Sequence, residues 1–78
     1  MNDEQKQFYD YILERTAPTN ESDMRKLLET TFKNQNNGVF SKKEMMALVP
    51  KMVSYLKENT RDEVMKSVKE YGEQHVTE

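Results

Sequence analysis

The chain has 78 residues and no cysteine, and its 12 basic and 14 acidic residues give a formal net charge of -2. A chain of this length forms one small domain, expected over residues 1–78, that removes only about 60% of its unfolded surface from water. Disulfides, thiolate metal sites and cysteine nucleophiles are excluded. No apolar run approaches the roughly 20 residues of a bilayer span, and the acidic start MNDEQKQ is unlike a targeting segment, so we expect a cytoplasmic protein without membrane contact.

Charge is distributed unevenly along the chain. Residues 1–23 hold two basic and six acidic residues, residues 24–69 hold ten basic and five acidic residues, and residues 70–78 hold three acidic residues. In one interpretation, the acidic ends cover the basic middle or are simply solvated. In the other, the basic middle presents a face to an anionic partner.

The first two predicted helices are separated by a proline break. Apolar residues at three- and four-residue spacing predict helix 1 over residues 3–15, with an acidic first turn. Pro18 disfavours helical torsions at Ala17. Three residues can serve as the next N-cap: Thr19, Asn20 and Ser22. Helix 2 then continues to the Asn- and Gly-rich segment 34–38, because these residue types tolerate a sharp reversal.

Helix 3 is the most apolar of the predicted segments. The pattern S-x-x-E at Ser41 and Glu44 predicts its start, because each side chain can satisfy a free backbone N–H. Its apolar residues cover more than half of the helix circumference, which predicts a central position. Pro50 cannot donate to the carbonyl of Met46, so it either kinks helix 3 or divides it in two. The poor capping ability of Val49 favours the kink.

Helix 4 follows a second pattern of the same kind, formed by Thr60 and Glu63. Gly72 is predicted to end this helix, and residues 73–78 are predicted to form a frayed tail. The sequence shows no internal repeat and no strand-like alternation. The predicted fold is therefore all-α, a small compact bundle of four helices, or five if Pro50 breaks helix 3.

The segment KNQNNGVFSKKE, residues 33–44, has the length and the glycine position of an EF-hand calcium loop. With Gly38 at loop position six, Lys33 is the first residue and Glu44 the twelfth. Further matches are Phe32 before the loop, Phe40 at its eighth position, and Met45, Leu48 and Val49 as core residues of the exiting helix. Residues 28–49 thus resemble an EF-hand helix-loop-helix, and the resemblance implies such a turn between helices 2 and 3.

The ligand positions of this loop lack the acidic residues that calcium prefers. Four of them are occupied by Lys33, Gln35, Asn37 and Ser41. Glu44 is the only carboxylate, so we expect no calcium and no other cofactor. What the resemblance implies is the hinge between two helices. Sensor members of the family use such paired helices to expose a methionine-rich groove for a partner's amphipathic helix.

These features predict a non-enzymatic protein-protein interaction module or regulator, which acts on another protein or by self-association. The contact is expected from apolar surface on helix 3, formed by Met45, Met46, Val49, Met52, Val53 and Leu56. Met46 and Val53 lie at the edge of the apolar arc and are the residues we expect to be exposed. The five internal methionines can equally be core residues that fill irregular gaps in a small bundle.

Two other chemistries compete with this hypothesis. Catalysis has no support, because the single histidine, His75, lies in the predicted tail and no nucleophile-and-base pair or phosphate-binding loop is present. The alternative function is binding of nucleic acid or another polyanion by the basic middle segment, residues 24–69. Its candidate contacts are Lys42, Lys43, Lys51 and Lys57. The connection between helices 2 and 3, of about eight residues, is longer than that of a helix-turn-helix, and the whole chain is acidic.

Overall fold

A computed structural model describes residues 1–38 and 41–75. Within these ranges the chain forms four α-helices and two short 3-10 turns. The helices are α1 (Asp3–Glu14), α2 (Glu21–Asn36), α3 (Lys42–Tyr55) and α4 (Arg61–His75), and the turns are Pro18–Asn20 and Glu58–Thr60. The predicted all-α bundle is confirmed, and Pro50 lies inside a continuous α3. None of the helices in the described ranges is long and apolar enough to cross a bilayer.

Side-chain caps fix the starts of α1 and α3. The Asn2 side chain accepts a hydrogen bond from Gln5 N at 2.8 Å, while Gln5 Oε1 accepts one from Asn2 N at 3.1 Å. Ser41 Oγ accepts from Glu44 N at 3.2 Å, which confirms the predicted N-cap of α3. Between α2 and α3, Gly38 has a φ of 75°, a torsion that residues with a side chain rarely adopt. The glycine thus permits the reversal after α2.

The end of α4 differs from the prediction. The helix continues past Gly72 to His75, so residues 73–75 are helical, while residues 76–78 of the predicted tail lie outside the described residues. Gly72 is buried instead, and a Cβ built on it would overlap Sδ of Met45. This glycine therefore permits the close packing of α3 on α4 and does not end the helix.

One hydrophobic core joins the four helices. Its buried residues are Ile12, Met24, Leu28, Phe32, Met52, Leu56, Val64 and Val68. Phe8 and Tyr71 pack against this core with their rings stacked 4.3 Å apart, and Phe32 meets both rings edge-on. Because full burial of one such aliphatic side chain contributes about 1.5–3 kcal/mol, this cluster supplies the main driving force for folding.

The chain folds as two similar halves, residues 3–36 and 42–75, although the sequence suggested no internal repeat. Each half consists of a helix, a 3-10 turn and a second helix, and corresponding positions lie 40 residues apart. The buried positions correspond as well: Ile12 to Met52, Thr16 to Leu56, Met24 to Val64, Leu28 to Val68 and Phe32 to Gly72. The paired residues are rarely identical. The repeat is therefore one of burial pattern and turn position.

Backbone hydrogen bonds join the turns of the two halves. Thr16 pairs with Leu56 in an isolated antiparallel bridge. Reciprocal bonds flank it, with Ala17 N donating to Tyr55 O at 3.0 Å and Lys57 N donating to Arg15 O at 2.9 Å. The bridge lies where α1 and α3 end and where α2 and α4 are about to begin, so one end of every helix is held at this junction.

Candidate interaction face

The structure separates the six residues that were predicted to form an interaction surface. Met52 and Leu56 are each 2% exposed and belong to the core, so the predicted surface is corrected at these two positions. Met45 is half-buried and lies against Gly72. The remaining three reach the surface, with Met46 exposed and Val49 and Val53 half-buried. Of the two residues expected to be exposed, Met46 is fully at the surface and Val53 only in part.

The apolar residues at the surface of α3 form one stripe. Met46, Val49 and Val53 follow each other at spacings of three and four residues, so they share one side of the helix. Pro50 lies on the same side, four residues after Met46, and is exposed. From the sequence, Pro50 was interpreted only through its effect on the backbone, as a kink or a break of helix 3, so its contribution to this surface was missed.

The relation between the two halves places Met65 of α4 beside the stripe. A groove between α1 and α2 is lined by Asp10, Leu13, Glu14, Glu21 and Arg25. The corresponding residues of α3 and α4 are Pro50, Val53, Ser54, Arg61 and Met65. By this correspondence we assign Met65, which is half-buried, to the same surface as Val53. We define the apolar face as Met46, Val49, Pro50, Val53 and Met65.

The first half shows that the fold does not require apolar residues at three of these five positions. The residues that correspond to the apolar face are Lys6, Tyr9, Asp10, Leu13 and Arg25. Lys6 Nζ lies 3.8 Å from Asp10 Oδ2, and Arg25 Nη2 lies 2.8 Å from Glu21 Oε1. Met46, Pro50 and Met65 therefore replace ion-paired residues at equivalent places of the same fold, whereas Val49 and Val53 correspond to the apolar residues Tyr9 and Leu13. Folding alone does not explain the apolar side chains at those three positions.

Basic residues flank the residues of the apolar face along α3 and α4, and Asp62, three residues before Met65, adds one acidic side chain. Lys42 and Lys43 occupy the first turn of α3, where the helix dipole disfavours cations. Arg61 begins α4, and its Nε is buried with no hydrogen-bond partner among the described residues. Lys69 follows Met65 by about one helical turn. The corresponding residues of the first half are Asn2, Asp3, Glu21 and Glu29, so three of these four positions change from acidic to basic between the halves.

The four lysines predicted as polyanion contacts do not form one patch. Lys42 and Lys43 lie at the start of α3, and Lys57 follows its end, about 21 Å away at 1.5 Å per residue. Lys51 lines the groove between α3 and α2, away from the apolar face. Lys57 Nζ donates to Glu14 O at 3.5 Å. A partner would have to contact several sides of the molecule to meet all four.

Helix α2 extends into the EF-hand-like segment. It continues through Asn36, so Lys33 and Gln35 are helical. Gln35 Oε1 accepts a hydrogen bond from the Tyr71 hydroxyl at 3.1 Å. Phe40, the predicted eighth loop position, lies outside the described residues. Among the residues that are described, no group of three or more His, Cys, Asp or Glu side chains is arranged to hold a metal ion.

Comparisons of this chain with protein-family models, with curated proteins and with solved structures return no match. No relative therefore supplies a function or a set of site residues. The two halves of the chain can instead be compared with each other, and their differences separate residues that serve the fold from residues that do not.

Proposed function

We propose that this protein is a non-enzymatic interaction module that binds an amphipathic helix of another protein on the apolar face. The observation that carries the proposal is the exposure of Met46, which is 62% accessible at a position where the first half has the ion-paired Lys6. Neighbouring apolar side chains at the surface of a small domain are typical of interaction sites. Charged residues fit the same place in the first half, so contact with a partner explains the apolar ones.

A helix is the partner element that fits a stripe of this shape. The stripe from Met46 to Val53 covers about 10 Å, or two turns of α3. An amphipathic helix presents apolar anchors over the same distance at positions i, i+3, i+4 and i+7. The flexible side chains of Met46 and Met65 can adjust to the shape of such anchors.

The charges around the apolar face favour a partner helix with acidic flanks. Lys43, Arg61 and Lys69 border the face, and complementary charge guides orientation and speeds association. A second copy docked through the same face would oppose these cations with like charges, which is unfavourable. The proposed occupant is therefore a different chain.

A designed peptide tests the proposal directly, because it carries the features that the apolar face is proposed to recognise. The probe is a fluorescent helical peptide with Leu anchors at i, i+3, i+4 and i+7 and Glu on both flanks. Its affinity is measured by fluorescence anisotropy for the native chain and for the double variant Met46→Lys with Pro50→Asp, which installs the residue types of Lys6 and Asp10. We expect the double variant to bind at least about tenfold more weakly, a loss of about 1.4 kcal/mol.

The control is the double variant Lys6→Ala with Asp10→Ala, which changes the equivalent positions of α1 and is expected to leave binding unchanged. Equal binding by the native chain and by the variant at Met46 and Pro50 would contradict the proposal, as would a dissociation constant weaker than about 1 mM. If duplex DNA binds instead, with a steep dependence on salt, the polyanion alternative replaces it. Sedimentation of the free chain separates self-association from binding.

A further inference from the structure

Two grooves of equivalent position lie on the molecule, one between α1 and α4 and one between α2 and α3. The first has a volume of about 360 Å³ and the second about 270 Å³. Every residue that lines one groove has its counterpart, 40 positions away, in the lining of the other. The two grooves can therefore be compared residue by residue.

The groove between α1 and α4 has an aromatic floor. Tyr71 stacks on Phe8 with ring centroids 4.3 Å apart and an angle of 10° between the planes. Phe8 is nearly parallel to Tyr11 at 6.5 Å. The guanidinium carbon of Arg15 lies 3.9 Å from the centroid of the Tyr11 ring. This row of rings thus already holds one cation of its own chain, in the arrangement by which aromatic faces attract positive charge.

Carboxylates stand on both walls of this groove. Glu4 lies on α1 and Glu70 on α4, both exposed, and the described residues of the lining include no Lys or Arg. In the groove between α2 and α3, the counterparts of Phe8, Tyr11, Glu70 and Tyr71 are Leu48, Lys51, Thr30 and Thr31. The fold thus accommodates aliphatic, polar and cationic residues at these positions. The combination of three aromatic rings with two carboxylates is specific to one groove.

We infer that the groove between α1 and α4 binds an arginine side chain of a partner protein. A guanidinium is planar, stacks on an aromatic face and pairs with carboxylates, so one ring of this row meets its plane while Glu4 and Glu70 meet its charge. The site lies apart from the apolar face, since Glu70 and Met65 are about 140° apart around α4. It therefore does not rest on the proposed function, and either site can fail without the other.

The test is an NMR titration that follows the ring signals of Phe8, Tyr11 and Tyr71. The probe is a short peptide with two arginines, and its twin carries citrulline, the neutral isostere, in their place. We expect the arginine peptide to shift these signals and the citrulline peptide to leave them unchanged. The double variant Glu4→Gln with Glu70→Gln is expected to weaken binding about three- to tenfold, since each exposed charge pair contributes modestly.

The matched control is Glu44→Gln, because Glu44 corresponds to Glu4 and likewise lies in the first turn of its helix. It removes one carboxylate from the other groove and is expected to leave the affinity unchanged. Three results overturn the inference: ring signals that do not move, equal binding of the citrulline peptide, and equal binding of tetramethylammonium. The last result would mark the groove as a site for small cations.

Discussion

Thr16 and Leu56, 40 residues apart in the chain, pair through their backbones and hold the two halves of the molecule together. The side chains of the two residues do not indicate this backbone pairing, because one is a buried threonine and the other a buried leucine. Thr16 Oγ1 donates to Ile12 O at 2.8 Å, so its hydroxyl is satisfied within its own half. The pairing thus adds backbone hydrogen bonds between the two halves to the contacts of their shared core.

Proline substitutions at the bridge test its contribution to stability. Ala17 and Lys57 have φ angles of -61° and -60°, which proline adopts without strain, so Ala17→Pro and Lys57→Pro each remove one bridging N–H. An unpaired carbonyl lowers the free energy of unfolding by about 1–3 kcal/mol. Proline offsets about 0.4–1 kcal/mol of this loss, because it reduces the conformational entropy of the unfolded chain. We expect each variant to unfold at lower urea concentration, with a net loss of about 0.5–2 kcal/mol.

The control for these substitutions is Glu58→Pro, because Glu58 corresponds to Pro18 in the first half. This substitution places proline at the first position of the 3-10 turn without removing a bridging bond. A stability gain of about 0.4–1 kcal/mol is expected from it. If Ala17→Pro and Glu58→Pro change the free energy of unfolding alike, the bridge contributes nothing measurable.

The effect of Gly72→Ala on the free energy of unfolding is predicted to change sign when Met45 is also replaced by alanine. In the native chain the new methyl group meets Met45 Sδ, and such overpacking costs about 1–3 kcal/mol. When Met45→Ala has removed that side chain, the same substitution gains about 1 kcal/mol of helix propensity. A thermodynamic cycle from urea unfolding measures the difference. Additive effects of the two substitutions would show that Met45 does not occupy the space beside Gly72.

Lys43→Asp is predicted to stabilise the fold. Lys43 lies in the first turn of α3, where a positive charge interacts unfavourably with the helix dipole. Its counterpart Asp3 places a negative charge in the first turn of α1, where the interaction is favourable. We expect Lys43→Asp to gain about 0.3–1 kcal/mol at low salt and Asp3→Lys to lose a similar amount. Thermal unfolding at low and high ionic strength checks both values. A loss of stability in Lys43→Asp would show that Lys43 serves the fold rather than a partner.

The ionisation of the Tyr71 hydroxyl makes the free energy of unfolding depend on pH in the alkaline range. Burial raises the pKa of Tyr71 above its ordinary value of 10.0, and the nearby charge of Glu4 raises it further. The folded chain thus holds this proton more tightly than the unfolded chain. The resulting stabilisation is complete below pH 10.0 and is lost as the pH rises through the folded pKa.

Tyr71→Phe removes this titration. We expect the free energy of unfolding of the variant to fall less steeply above pH 10.0 than that of the native chain. Urea unfolding at a series of pH values, with tyrosinate absorbance recorded in parallel, provides the comparison. Identical alkaline slopes for the two chains would contradict a raised pKa at Tyr71.

Periodicity and capping patterns predicted the helices because both are local properties of the sequence. Ser41 caps α3 as expected, and Pro50 stays within one helix. The sequence could not show that Gly72 serves a close contact with Met45, since a glycine near a chain end is also typical of a helix stop. That distinction depends on a neighbour 27 positions away in the sequence.

The candidate site was only partly predictable for the same reason. The broad apolar arc of α3 predicted a central helix with Met46 and Val53 at the edge of the arc, but Met52 and Leu56 could be assigned to the core only once α3 had been packed between its neighbours. Met65 was assigned to the apolar face only through the correspondence between the two halves. The 40-residue repeat itself would have been visible as a recurring pattern of apolar positions rather than of identical residues.

The most direct test of the apolar face is a methyl NMR titration with the Glu-flanked helical peptide. We predict that the methyl signals of Met46, Val49, Val53 and Met65 shift together, while that of Leu13, the counterpart of Val53 in the first half, stays in place. Shifts of equal size at Leu13, or no shift at Met46 when the peptide is present in large excess, would contradict this prediction.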